Sequence, residues 1–173
     1  MPDLHPSAEI DDRYGSPGAG ATPWSVAWQA FEGAEIYWLS TVRPDGRPHV
    51  TPLVAVCLDG QPYFASGPLE QKVQNLAGNP RCVLMTGTNA MATSLDVVLE
   101  GEAIRVRDAA TLTRAASAYD DKYDEPFHFS PGDGVLNGGG GGDSFLFRFE
   151  PAKAFSFGRS DPFSQTRYRF DRG

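Results

Sequence analysis

The chain has no uninterrupted apolar run of about 18 residues, the minimum for a helix that crosses a bilayer. Its start, MPDLHPSAEIDDRYGSPGAGATP, lacks the basic lead and apolar stretch of a secretory signal, so the expectation is a cytoplasmic protein without a membrane partner. Cysteine is scarce. Cys57 and Cys82 are the two present, each in strand-like surroundings without metal-ligand spacing, and both read as buried thiols. Histidine is scarce too: no two of His5, His49 and His128 stand at ligand spacing, which gives a metal or haem role no support. His49 reads as a half-exposed strand residue before it reads as a catalytic base. Positive charge is the minority, 15 Lys and Arg against 22 Asp and Glu. A net charge of −7 argues against a general nucleic-acid surface, because neutralising phosphates needs clustered cations. It leaves room for a local basic pocket. No nucleophile lies in a pattern with a base, so hydrolase chemistry has no footing.

What is present fits one domain. The 173 residues are 40% hydrophobic, and the 19 glycines and 14 prolines gather at the flanks and in turns. Residues 1–21 are rich in Pro, Gly and Asp without apolar periodicity and read as a disordered N-terminal arm, leaving a domain over 22–170. Residues 130–144, SPGDGVLNGGGGGDS, read as a mobile loop, either a spacer or a lid. Its five consecutive glycines do not make a phosphate loop, since Asp143 and a strand follow where a Gly-Lys-Ser/Thr and a helix are required.

Between these segments the pattern alternates. Thr22 as N-cap and Pro23 at the first helical position open a helix whose Trp24, Trp28 and Phe31 form one stripe. Strands are expected at 36–42, 47–58 and 62–66, turned at Asp45-Gly46 and Asp59-Gly60, because glycine accepts the positive φ of tight hairpins. A helix over 69–78 stops before Pro80, then two strands follow, the second bending at Gly101. A helix begins near residue 109, with an acidic, solvated end at Asp120, Asp121, Asp124 and Glu125, and two or three closing strands complete the chain. Many short antiparallel strands with interposed helices indicate a mainly β protein, a small barrel with flanking helices.

Lys72 stands in the first turn of the helix that follows Ala65-Ser66-Gly67. A helix N-terminus offers unsatisfied N–H groups and a positive dipole end, to which Ser66 adds a hydroxyl and Lys72 a charge. That is a seat for a terminal phosphate, although the same three residue types often meet at a helix start by chance.

The order of the pieces adds weight. WLSTVRPDGRPHVTPLVAV, then GQPYFASGPLEQKVQNLAGNPRCVLM, then LDVVLEGEAIRV resembles the pyridoxamine 5′-phosphate oxidase-like superfamily of FMN-binding split β-barrels, over about residues 24–170. The resemblance implies a homodimer that binds FMN, or in an actinobacterial branch the deazaflavin F420, between subunits. Carried over by position, it implies that Thr51, Pro52, Leu53 and Val54 lie along the flavin ring edge. Ala65 and Ser66 match the following strand end, Gln71 and Lys72 the pair that meets the phosphate, and Arg167 the late arginine approaching from the second subunit. The resemblance implies a flavin-dependent oxidoreductase of a small molecule.

The departures narrow this. Pyridoxamine-phosphate oxidases carry arginine where Thr51 stands and lysine where Val56 stands, so oxidation of the vitamin itself is not expected. F420-binding relatives often carry arginine at the position of Glu70, whose negative charge would repel the polyglutamyl tail and favours FMN. Two other readings remain: a flavin-binding protein without turnover, and a barrel that has lost its cofactor and serves as a structural dimer.

Overall fold

A computed structural model of the chain describes residues 6–11, 13–138 and 142–170. The strands are β1 (Ser7–Ile10), β2 (Tyr37–Val42), β3 (Pro48–Leu53), β4 (Ala55–Leu58), β5 (Gln61–Ser66), β6 (Arg81–Thr86), β7 (Leu95–Val106), β8 (Phe129–Pro131), β9 (Leu136–Gly138), β10 (Asp143–Gly158) and β11 (Ser164–Arg169). The helices are α1 (Trp24–Glu32), α2 (Gln71–Gly78) and α3 (Ala109–Lys122).

Every ladder is antiparallel, and the main path runs β1-β11-β10-β7-β6-β2-β3. β10 also pairs with β5 through Phe145–Arg148, and β5 pairs with β4. The sheet therefore curls back on itself, but among the described residues no ladder closes it. β3 hydrogen-bonds to β2 and β4 to β5, and the chain passes from one to the other through Val54 without a shared ladder among the described residues. This is a split barrel, mainly β as the sequence indicates.

Alternation sets the interior. β2 buries Tyr37, Leu39 and Thr41 and turns Trp38, Ser40 and Val42 outward. Leu39, Leu84 and Leu99 stack across three neighbouring strands, with Phe64, Phe147 and Phe149 opposite. α1 closes the end near Tyr37, where the Tyr37 hydroxyl donates to the Phe31 carbonyl (2.8 Å). α2 closes the end near Thr41, sending Val73 and Leu76 inward. α3 covers a second core on β4 and β5, built around Val56, Tyr63, Leu112, Tyr119 and Leu146.

Several expectations shift. Within the arm expected to be disordered, Ser7–Ile10 pairs with β11, Ser7 opposite Arg169. Thr22 does not cap α1: Pro23 holds that position, while the Thr22 N–H donates to the Thr166 hydroxyl (2.8 Å). The single strand expected over 47–58 breaks at Val54. Loop 130–144 contains the β8–β9 hairpin, and its residues 139–141 lie outside the described residues. Gly101 is required by close approach rather than by a turn, because a Cβ there would collide with the Glu150 carbonyl beside the register shift at Pro151–Lys153.

Candidate cofactor site

β3 ends the sheet path, so among the described residues its outer edge has no ladder partner. Its residues alternate between exposed Pro48, Val50 and Pro52 and half-buried His49, Thr51 and Leu53. Pro52 still sits in register with Trp38, and the ladder ends at Leu53, with Val54 buried at the break. The Thr51 Oγ1 is buried and has no hydrogen-bond partner. An orphaned hydroxyl of this kind costs roughly 1–3 kcal/mol unless something bonds to it.

Ser66 ends β5 and is buried. The sequence-expected seat forms around it, already holding an anion from the chain itself. The Glu70 carboxylate accepts from the Ser66 hydroxyl (2.8 Å) and from the Gly67 N–H (2.7 Å). Its other oxygen pairs with the Lys72 ammonium. Glu70 is the N-cap residue of α2, yet its side chain makes no cap bond to the helix, having turned back toward Gly67. Burial pushes the Glu70 carboxyl up, but the Lys72, Gly67 and Ser66 donors together hold it below its usual range.

Gln71 belongs to a second chain of contacts that fixes α2 to the hairpin. The Arg43 guanidinium donates to Gln71 Oε1 (3.0 Å), Gln71 Nε2 to Asn75 Oδ1 (2.8 Å), and Asn75 Nδ2 to the Thr41 hydroxyl (2.9 Å). That hydroxyl lies 3.3 Å from His49 Nδ1. Burial, then the nearby charges of Arg43 and Lys72, hold the His49 imidazole below its ordinary pKa. Arg43 and Lys72 thus stand as cations beside a His49 ring that they keep neutral. A further cation stands at this end of the barrel: the Arg105 guanidinium lies 3.3 Å from the Phe145 ring centroid, and Phe145 sits opposite Ser66.

The split above is stitched by α3. The Tyr119 hydroxyl accepts from the Ala65 N–H (3.0 Å) and faces the Val54 carbonyl (3.3 Å). The Lys122 ammonium donates to the carbonyls of Glu32 (3.0 Å) and Ala55 (3.1 Å) and to the Tyr37 hydroxyl (2.9 Å). Tyr123 accepts from the Ala55 N–H (3.2 Å) and reaches the Glu35 carbonyl (2.9 Å). These contacts occupy backbone groups that a continuous ladder would have used.

Of the sequence-expected site residues, Ser66, Gln71 and Lys72 converge at the head of α2. Thr51, Pro52, Leu53 and Val54 form the open strand leading to the break, and Ala65 precedes Ser66. Arg167 is separate: it lies on β11, pairs with Glu9 (2.6 Å), and leaves its Nε buried without a partner. Sequence reasoning missed Arg43, Asn75 and Arg105, and recorded Glu70 only as a misplaced charge. Spacing offered a signal for Asn75, one helical turn after Gln71. A concavity of about 750 Å³ lies elsewhere, on the outer sheet face between Ser40, Val83, Glu100, Gly101, Lys153 and Phe170.

Residues 26–156 match the family described as pyridoxamine 5′-phosphate oxidase. No curated protein matches the chain. Among solved structures it is similar to a conserved hypothetical protein from Mycobacterium tuberculosis, at 19% identity and a TM-score of 0.64, over 80% of this chain and 85% of that one. It is similar to a heme binding protein from Mycobacterium smegmatis at 17% identity and a TM-score of 0.64, covering 80% of this chain and 55% of that one. A third is the pyridoxamine 5′-phosphate oxidase-related, FMN binding protein from Nostoc punctiforme, at 17% identity and a TM-score of 0.59, over 88% and 94% of the two chains. The likeness of these structures is one of fold, and the family match spans most of the barrel together with the open strand and the head of α2. The chain belongs to the pyridoxamine 5′-phosphate oxidase family.

Proposed function

We propose that the protein binds FMN along β3 and works as an FMN-dependent oxidoreductase on a small-molecule substrate, two copies of the chain completing each site. One observation carries this reading: an unpaired strand edge with an orphaned Thr51 hydroxyl accompanies a ready set of anion-binding donors at Ser66, Gly67 and Lys72. A flavin asks for backbone donors along its ring edge and cations at its phosphate. Lys72, the Ser66 hydroxyl and the Gly67 N–H would hold the phosphate, and the chain from Thr51 to Val54 would lie along the ring. Gln71, held by Arg43 and Asn75, keeps the head of α2 fixed for that contact. The bound flavin would supply hydride and electron transfer, while the chain positions it and leaves one face for substrate.

The homodimer is part of the same proposal, and Arg167 is the residue assigned to the shared site. Within one chain it lies on β11 and is tied to Glu9, and in this reading it approaches the flavin from a second copy, as the family resemblance implies. The outward face of β2 and β3 exposes Trp38, Val42 and Val50, and with the adjoining trough it is the surface assigned to that copy.

The deciding measurement is the absorbance spectrum and mass of whatever co-purifies with the protein. A flavin spectrum with the mass of FMN, followed by reduction with NAD(P)H and reoxidation by substrate, is the expected result. Protein that is colourless and takes up no added FMN ends the reading. F420 is the second candidate, because Arg43 stands at the head of α2 as a cation for a polyanionic tail. Mass separates the two, and reduced F420 replaces NAD(P)H in the assay. Flavin held without turnover would mark a binding protein, and a haem spectrum would place this chain with its heme binding relative.

A further inference from the structure

The Lys72 side chain is 9% exposed and its ammonium is directed at Glu70, whereas the Glu70 side chain is 48% exposed. The two partners therefore differ in freedom. Lys72 is fixed by the packing of α2, with Val73 and Leu76 anchored in the core beside it. Glu70 has solvent on one flank and, as the N-cap residue, an extended backbone outside the helix. Its carboxylate satisfies the Ser66 hydroxyl, the Gly67 N–H and Lys72 together, the three donors that a phosphate would need.

We propose that Glu70 is a displaceable counter-ion: its carboxylate occupies the phosphate seat of the empty protein, and swings into solvent when a cofactor phosphate arrives. The proposal rests on the cofactor reading above and adds a consequence for specificity. A ligand's observed affinity falls with the fraction of protein whose site is open, so self-occupancy weakens binding of the phosphate. A phosphate brings more charge and more acceptor oxygens than a carboxylate, and the exchange conserves every donor contact. A flavin without phosphate has nothing to displace Glu70 with and gains nothing from this seat. Glu70 thereby narrows the preference for the phosphorylated over the unphosphorylated form of the same ring system.

The test compares FMN and riboflavin binding, by quenching of flavin fluorescence, in wild-type protein, Glu70→Gln, Lys72→Ala and the double variant. Glutamine keeps the shape and removes the charge. The expected result is FMN binding tightened about tenfold in Glu70→Gln, the scale of one charge-assisted contact, with riboflavin unchanged within about twofold. In the Lys72→Ala background the gain should shrink. Unaltered or weaker FMN binding in Glu70→Gln, or an equal gain for riboflavin, overturns the proposal. Failure of the cofactor reading looks different, because wild-type protein then binds neither flavin. In that event inorganic phosphate, followed through the Gly67 amide resonance, still decides: a response at lower phosphate in Glu70→Gln than in wild type supports the counter-ion, and identical titrations exclude it. Thermal unfolding of each variant confirms that it is folded.

Discussion

Lys153 and Lys72 are both paired with glutamates, but their settings differ. Lys153 meets Glu100 across the sheet surface at 2.7 Å with both side chains more than a third exposed, a kind of pair worth little. Lys72 is enclosed. Lys72→Ala should therefore weaken FMN binding ten- to a hundredfold, about 1.5–3 kcal/mol, and more than Lys153→Ala, which touches the site only through the proposed interface. Equal titrations for the two variants would exclude Lys72 from the phosphate contact. His49 gives an independent readout. Its folded pKa lies below its unfolded value, so neutral His49 favours the folded state above the ordinary histidine range. That contribution is lost as pH falls through the lowered value. In an NMR titration His49 should have a midpoint under 6.5, the ordinary histidine value. FMN should raise the midpoint, because a phosphate offsets Arg43 and Lys72. A midpoint unmoved by FMN would place the phosphate away from this corner. Both lysine and serine were legible in the sequence, since strand end, glycine and helix start are local signals. The role of Glu70 was not legible, because it depends on a side chain turning back across Gly67 rather than capping its own helix.

At the level of elements, α3 read in sequence as a helix with a solvated acidic end. Its other face carries Tyr119 and, one helical turn on, Lys122, followed by the C-cap residue Tyr123, and the polar tips of all three reach the break at Val54 and Ala55. Tyr119→Phe removes the partner of the Ala65 N–H and should lower unfolding stability by about 1–3 kcal/mol. For a domain of this size that is a drop of several degrees, from about 2–4 °C per kcal/mol. An unaltered melting temperature would show that the stitch carries no load. Lys122 serves stability in the same way, so its removal is unsuited as a control for cofactor binding. The hairpin turns were legible, and Gly46 and Gly60 do adopt positive φ (84° and 73°) with Asp59 at 53°. The break at Val54 was not, because neither Gly nor Pro marks it. What ends the ladder is a change of partner, from β2 to β5, and pairing across the chain leaves no local trace. Ser7–Ile10 escaped for the same reason: its short polar stretch becomes a strand only because β11 offers an edge.

For the whole molecule, the outward face of β2 and β3 is where the second copy should sit. Trp38 and Val50 are both substantially exposed there, and large apolar side chains in one patch mark a contact surface. Replacing both by glutamate should convert a dimer into a monomer by light scattering at micromolar concentration, with the far-UV dichroism preserved. Flavin affinity should fall with it, since Arg167 would no longer reach the site. Wild-type protein that scatters as a monomer would remove the basis for the shared site.

The pairing of Ser7 with Arg169 brings the two extremities of the barrel to neighbouring positions on adjacent strands. A short flexible linker could therefore join them without disturbing any ladder, and new ends could be opened elsewhere. Ends opened at Asp45-Gly46 would separate β2 from β3 at an exposed turn while leaving the chain through Val54 intact. Ends opened at Val54 would retain every ladder and still sever the covalent link from β3 to β4, leaving the α3 side chains to bridge the split. The first rearranged chain should fold and melt near the parent temperature. The second should fold less stably, and the difference between them measures what a single covalent crossing contributes to a barrel that its hydrogen bonds leave open.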